Sequence, residues 1–474
     1  MTDLLALSLV DLCQELSSRR VSPVELMRAT LDRYELLNPT LNAICSRVPD
    51  DVLLEQARAA EARIMRGEGR PLEGIPLGVK DTEDTTGLPT TWGSPIFVDH
   101  VANHDSTQVA RFKAAGAIVA GKTNVPEFAS SAHTKNRVYG VTRNPWNLHM
   151  SPGGSSGGSA AALAAHMLPL VTAADGGGSV RIPACLIGAF GMKPSYGRIP
   201  NGPRKRWHWI ALEHYGPITK TVADAALFLD CAVGASPYDD GSLPHPGYRY
   251  SDKLSDKLPR LKIALSPNLG DATVHSEVSS AFADAVKVFT QLGHDVVELN
   301  APKPPDCAFM WAGLQALDLY GHIAEFLPER EGDVGRALMA SVRGIASATA
   351  ADMEPLMRLR SELLAWSAHV FEEVDLLLTP TLPYDGHAAA GGYPTEIEGK
   401  PAHPLGPAIF TALWNFTHQP AATVRMGLSS RGLPLGLQII GRQHRDDVVL
   451  LAARQFERER PWHPQWPDAQ SLAT

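Results

Sequence analysis

Apolar positions recur at helical spacing from Leu4 to Leu37, and Ser22-Pro23-Val24-Glu25 breaks the run with an N-cap residue, a proline suited to the first helical position and an acid in the first turn. Two N-terminal helices are expected. Three short apolar runs follow: Ile75 to Val79 ending in Lys80, Ala117 to Ala120, and Leu168 to Ala173, each succeeded by polar or glycine-rich sequence. Such runs read as buried strands, and their alternation with helical stretches points to an α/β sheet. Later, Leu261 to Leu265 and Asp295 to Leu299 bracket the helical stretch Val274 to Leu292, and Asp375 to Leu378 runs into Thr379-Pro380-Thr381. Cys307 to Val374 is helical in pattern and carries no motif residue, so it reads as an insertion that shapes a pocket. No repeat or low-complexity linker divides the chain, and residues 1–474 are expected to form one domain.

Composition narrows the class. Of 474 residues, 44% are hydrophobic and 20% charged, which sets aside disorder, collagen and coiled coil and leaves a folded soluble chain. A net charge of -8 argues against nucleic acid as partner. The five cysteines are far apart and form no CxxC pair, so reduced thiols in a cytoplasm fit better than a disulfide framework or a zinc knuckle. The N-terminus lacks a basic leader pattern, and the longest apolar stretch, Ala160 to Ala174, is too short to span a bilayer. Cytoplasmic localisation without membrane attachment is the expectation. The 17 histidines include no H-E-x-x-H motif, so neither metal nor cofactor is expected.

The most unusual local composition is Ser151-Pro152-Gly153-Gly154-Ser155-Ser156-Gly157-Gly158-Ser159, followed by an alanine-rich helical run and then Asp175-Gly176-Gly177-Gly178-Ser179-Val180-Arg181-Ile182-Pro183. A single Gly/Ser stretch would read as a flexible linker. Two of them, with Asp175 and Arg181 straddling Ser179, read instead as loops whose bare N–H groups converge on one spot, ending in a candidate nucleophile. Serine needs a base. Gly153-Gly154-Ser155-Ser156-Gly157 fits the G-x-S-x-G nucleophile elbow, with His387, His403 or His418 as partner, but Leu148-His149-Met150-Ser151-Pro152 is a poor strand for that turn. Lys80 offers the other solution, because desolvation at the end of an apolar strand favours the neutral amine. Taken alone, Lys80 reads as a surface lysine at a strand end.

Together these residues resemble the amidase signature family of serine hydrolases, whose hallmark is this loop pair with Asp175, Arg181 and Pro183. The resemblance extends through Gly121-Lys122-Thr123-Asn124, Thr142 to Trp146, Gly191 to Pro194, Gly216-Pro217-Ile218 with Asp224, and Gly436-Leu437-Gln438 with Gly441. It implies a single α/β domain with a twisted mixed β-sheet sandwiched between helical layers, a catalytic core over about 70–220 and a variable helical region over about 301–371. It also implies Lys80 as base, Ser155 after a cis peptide bond as bridging serine, and Ser179 as nucleophile. The N–H groups of Gly176, Gly177, Gly178 and Ser179 would form the oxyanion hole, and Asp175 and Arg181 would be scaffold.

The implied activity is hydrolysis of small or aryl amides, with esters and carbamates also accepted. The family includes the glutaminase subunit of transfer-RNA amidotransferases, but Pro126 to His133 and Ala211 to Gly216 depart from the patterns of that protein, so a free-standing amidase is expected. A non-catalytic amidase-like binding protein is the remaining alternative. Phe128, Ser131, His133, Trp311, Tyr320 and Trp414 are the candidate pocket residues, with Leu314 a further apolar one. The substrate's identity and the oligomeric state are left open, a homodimer being one arrangement.

Two motifs read as decoys. Gly116 to Thr123 satisfies G-x-x-x-x-G-K-[ST], but its four intervening residues are apolar and β-prone, so it reads as strand rather than phosphate loop. Arg204-Lys205-Arg206-Trp207-His208-Trp209 is basic and aromatic, and reads as a loop near the pocket mouth or an exposed turn rather than a nucleic-acid surface.

Overall fold

The apolar run ending in Lys80 is the strand Pro76–Lys80, every residue of it buried. The structure is a computed structural model that describes residues 3–203, 212–462, 465–467 and 472. The cluster Arg204 to Trp209, and Ala211, lie outside the described residues. Pro76–Lys80 pairs in parallel with Ile118–Thr123 and with Leu170–Val171, and Ile44–Arg47 closes this four-stranded sheet antiparallel to Ile118–Thr123.

A second, seven-stranded mixed sheet runs in the order Ile218–Thr219, Phe190–Lys193, Ala421–Leu428, Pro434–Gly441, Leu376–Pro380, Lys262–Leu265 and Asp295–Glu298. Its last three strands are mutually parallel, as strand-helix-strand units require. The expected helix there is Ser276–Gln291. The long hairpin of Ala421–Leu428 and Pro434–Gly441 is antiparallel.

Helices cover the sheets. The two expected at the N-terminus are Leu9–Ser17 and Pro23–Leu41, the second opened by a reciprocal capping box between Ser22 and Glu25. Gly157–Ala164 is wholly buried, its small side chains letting it pass between the sheet strands and the helix Arg181–Ile187. The region read as helical after Cys307 contains Ala308–Ile323, Arg336–Ala346 and Ala350–Glu373. Among the described residues no helix is long and apolar enough to cross a membrane.

Candidate active site

Lys80 is the last residue of its strand and is 1% exposed, so it is a buried amine and not the surface lysine that its strand-end position suggests. Its backbone N–H donates to Thr172 Oγ1 at 2.9 Å, and its Nζ donates to Ser155 Oγ at 2.8 Å and to the Ala174 carbonyl at 3.1 Å. Burial pulls the ammonium down to about 8, against the opposing fields of Glu213, Glu83 and Asp175. The amine is thereby within reach of neutrality near physiological pH.

Ser155 follows a cis peptide bond with Gly154 and sits just before the helix Gly157–Ala164. No strand precedes it, which removes the elbow geometry. The offered histidines are occupied elsewhere: His387 Nε2 lies 3.0 Å from the Ala132 carbonyl, His403 Nδ1 accepts from the Leu405 N–H, and His418 stacks on Tyr196.

The loop carrying Ser179 is pinned from behind. Asp175 is fully buried and accepts from Arg181 through both oxygens, Nη2 at 2.8 Å and Nε at 2.9 Å. Burial alone would raise this carboxyl, but the Arg181 charge, its hydrogen bonds and Asn415 Nδ2 hold it well below the usual carboxylate range. Arg181 in turn reaches the Thr411 carbonyl, Gln438 Oε1 and Asn415 Oδ1. Every polar edge of the pair is satisfied, which a buried ion pair needs.

Of the four amides expected around an oxyanion, that of Gly178 is committed, since it donates to Asp175 Oδ1 at 2.7 Å. Gly178 helps to hold the loop instead. Its φ of +134° and a Thr411 Oγ1 only 2.3 Å from where a Cβ would stand exclude other residues. The N–H groups of Gly176, Gly177 and Ser179 donate to no protein acceptor among the described residues.

Lys80, Ser155, Gly176, Gly177 and Ser179 all line one cavity of about 290 Å³. Phe128, Ser131, His133 and Trp311 line it too. Trp414 does not: its ring is fully buried beside Trp366 and Phe371, with Nε1 donating to the Phe410 carbonyl. Leu314 is likewise core, and Tyr320 packs against the cluster of Ile96, Phe128 and Ile323.

Sequence reasoning missed Trp92, Tyr196, Glu213, Gln315, Asp318 and Tyr393, which share the lining. For two of them a signal existed: Gln315 and Asp318 follow Trp311 at four and seven residues, one face of a helix. The P-loop decoy resolves as well, since Lys122 lies within the strand Ile118–Thr123 and donates to Thr90 Oγ1 at 2.9 Å, fully buried.

Comparison with known proteins gives a consistent result. A family model described as amidase matches residues 25–450. An acylamidase of Rhodococcus erythropolis is 33% identical over 468 residues, covering 97% of this chain and 97% of that protein. A glutamyl-tRNA(Gln) amidotransferase component from Geobacter sp. (strain M21) is 34% identical over 485 residues, covering 96% and 98%. The crystal structure of a bacterial aryl acylamidase of the amidase signature enzymes superposes with a TM-score of 0.91 at 32% identity, over 98% of both chains. The likeness runs from the second N-terminal helix into the last one, in sequence and in fold, and the chain belongs to the amidase family.

Proposed function

We propose that this chain hydrolyses the C–N bond of small or aryl amides through an acyl-serine intermediate, and that esters and carbamates yield to the same serine. The observation that carries the reading is the 2.8 Å hydrogen bond from buried Lys80 to Ser155, on the wall of a cavity that Ser179 also lines.

Ser179 Oγ attacks the carbonyl carbon and its proton passes to Ser155, whose own proton moves to neutral Lys80. The carbonyl electron pair shifts to oxygen, where the N–H groups of Gly176, Gly177 and Ser179 receive it. Collapse breaks the C–N bond while the Lys80 proton returns through Ser155 to the departing nitrogen. Water then repeats the cycle to release the acid. Asp175 and Arg181 act by holding the loop in place. The region over about 301–371 shapes the pocket, through Trp311, Gln315 and Asp318 of the helix Ala308–Ile323.

A second reading, the glutaminase component of an amidotransferase, is favoured by the relative from Geobacter. Among the described residues Lys80 is the one lysine or arginine on the cavity wall, and it is bound to Ser155. A fluorophosphonate should label Ser179, located by peptide mass spectrometry, and the label should be lost in Lys80→Ala. A panel of anilides, aliphatic amides and carbamates should be turned over. If all are inert while glutamine is hydrolysed, the second reading replaces the first.

A further inference from the structure

Residues 403–409 form a thin wall of the catalytic cavity. Pro404, Pro407 and Ala408 line the cavity that Ser179 also lines, while His403 and Ile409, at the two ends of the same segment, line a second cavity of about 60 Å³. Among the described residues Leu405 alone lines both. The helix Ala308–Ile323 makes the same crossing: Cys307, just before its first turn, lines the second cavity, and Trp311, whose backbone N–H donates to the Cys307 carbonyl at 2.8 Å, lines the first. The two cavities are therefore adjacent, and the Leu405 side chain stands between them.

The second cavity has an apolar base and a polar mouth. Leu269, Cys307 and Leu413 are buried at its base, whereas Asp271 and Lys303, joined by an ion pair of 2.6 Å, are exposed at its rim. A hydrocarbon chain entering from the catalytic side would be buried there. Leu405 is 8% exposed and belongs to the apolar cluster of Cys307, Ala408 and Leu413. Its backbone is held independently of its side chain, with the N–H donating to His403 Nδ1 at 3.2 Å and the carbonyl accepting from the Ala408 N–H at 3.0 Å. Shortening the side chain thus opens the divider without removing a hydrogen bond.

We infer that Leu405 is a specificity-determining residue that limits the length of the alkyl chain an amide can carry, by closing the second cavity to substrate. This rests on the amide-hydrolase reading and narrows its substrate class to amides whose hydrocarbon ends at that partition.

The test measures kcat/KM for two homologous series, the 4-nitroanilides of straight-chain acids from acetate to decanoate and the N-alkylacetamides from methyl to decyl, each value taken relative to the shortest member. One series grows the acyl side and the other the amine side. In the wild type at least one series should gain about fourfold per methylene while hydrocarbon is still being buried, and then break. In Leu405→Ala that break should move outward by about two or three carbons, since the space behind the partition holds about two to four water-sized groups. Leu405→Val, the gentler truncation, should move it the same way by less, and decides the matter if the alanine variant does not fold. Leu413→Ala deepens the second cavity behind an intact partition and should leave the break in place. A break that stays put in both series when Leu405 is shortened, one that moves as far in Leu413→Ala, or amides inert at every length overturn the inference alone when fluorophosphonate still labels Ser179. Inert series with an unlabelled Ser179 in the wild type overturn the hydrolase reading and the inference together.

Discussion

When Lys80 is the base, the rate follows the fraction of amine that is neutral. With the group brought from its ordinary 10.5 to about 8 by burial, that fraction is about 1% at pH 6, about 9% at pH 7 and about 91% at pH 9. For an uncharged anilide, kcat/KM should therefore climb about ninetyfold between pH 6 and pH 9 and then flatten, following a single titration of the free enzyme. The same shift acts on stability. The folded value lies below the unfolded one, so between pH 8 and 10.5 the unfolded chain holds a proton that the native chain has released. This group's stabilisation is complete above 10.5 and is lost as the pH falls through 8.

The full swing is about 3 kcal/mol, and Lys80→Met removes it. Going from pH 7 to pH 10, the unfolding free energy of wild type relative to Lys80→Met should shift by about 2.5 kcal/mol in favour of wild type. Rate profiles and urea titrations at the two pH values measure both effects. An inflection above about pH 9.5, or a stability difference independent of pH, would refute the argument that desolvation sets the base.

Three further outcomes follow from the geometry. Arg181→Met leaves Asp175 buried without its charge partner and should cost about 3–5 kcal/mol in urea unfolding, and Arg181→Lys should recover little because a lysine cannot span two carboxylate oxygens and three further acceptors. Gly177→Ala drives a methyl into the Trp311 indole and should cost about 1–3 kcal/mol together with activity, whereas Gly176→Ala enters open cavity space and should lower kcat/KM with stability unchanged within about 0.5 kcal/mol. Trp414→Ala should lose about 3–5 kcal/mol of stability while leaving the ranking of anilide substrates as it was, since the ring is core and not pocket.

What the sequence made legible is what depends on neighbours along the chain. The runs ending at Lys80, Ala120 and Leu265 fall in strands because continuous β-prone apolar stretches have to be buried. The glycines and serines of the two loops are likewise written locally. Partners chosen across the fold were not legible. Glu213 and Trp92 reach the cavity from segments with no motif of their own, and Trp414 looks the same in sequence whether it lines a pocket or fills a core. That Gly178 gives its N–H to Asp175 depends on how a side chain three residues earlier is turned, which composition does not encode. Lys80 needed both kinds of information: the strand was readable, while the depth of burial came from the elements laid over it.

The ties on Arg181 also set an order in time. Its guanidinium is completed by Thr411, Asn415 and Gln438, residues more than two hundred positions downstream. During synthesis the loop bearing Ser179 therefore leaves the ribosome long before the groups that fix its shape exist. The segment bearing every proposed reacting residue is no independent module, and a nascent or truncated chain ending before the hairpin Ala421–Leu428 and Pro434–Gly441 holds those residues without the frame that aims them. Hydrolytic competence is thus deferred until the polypeptide is almost finished.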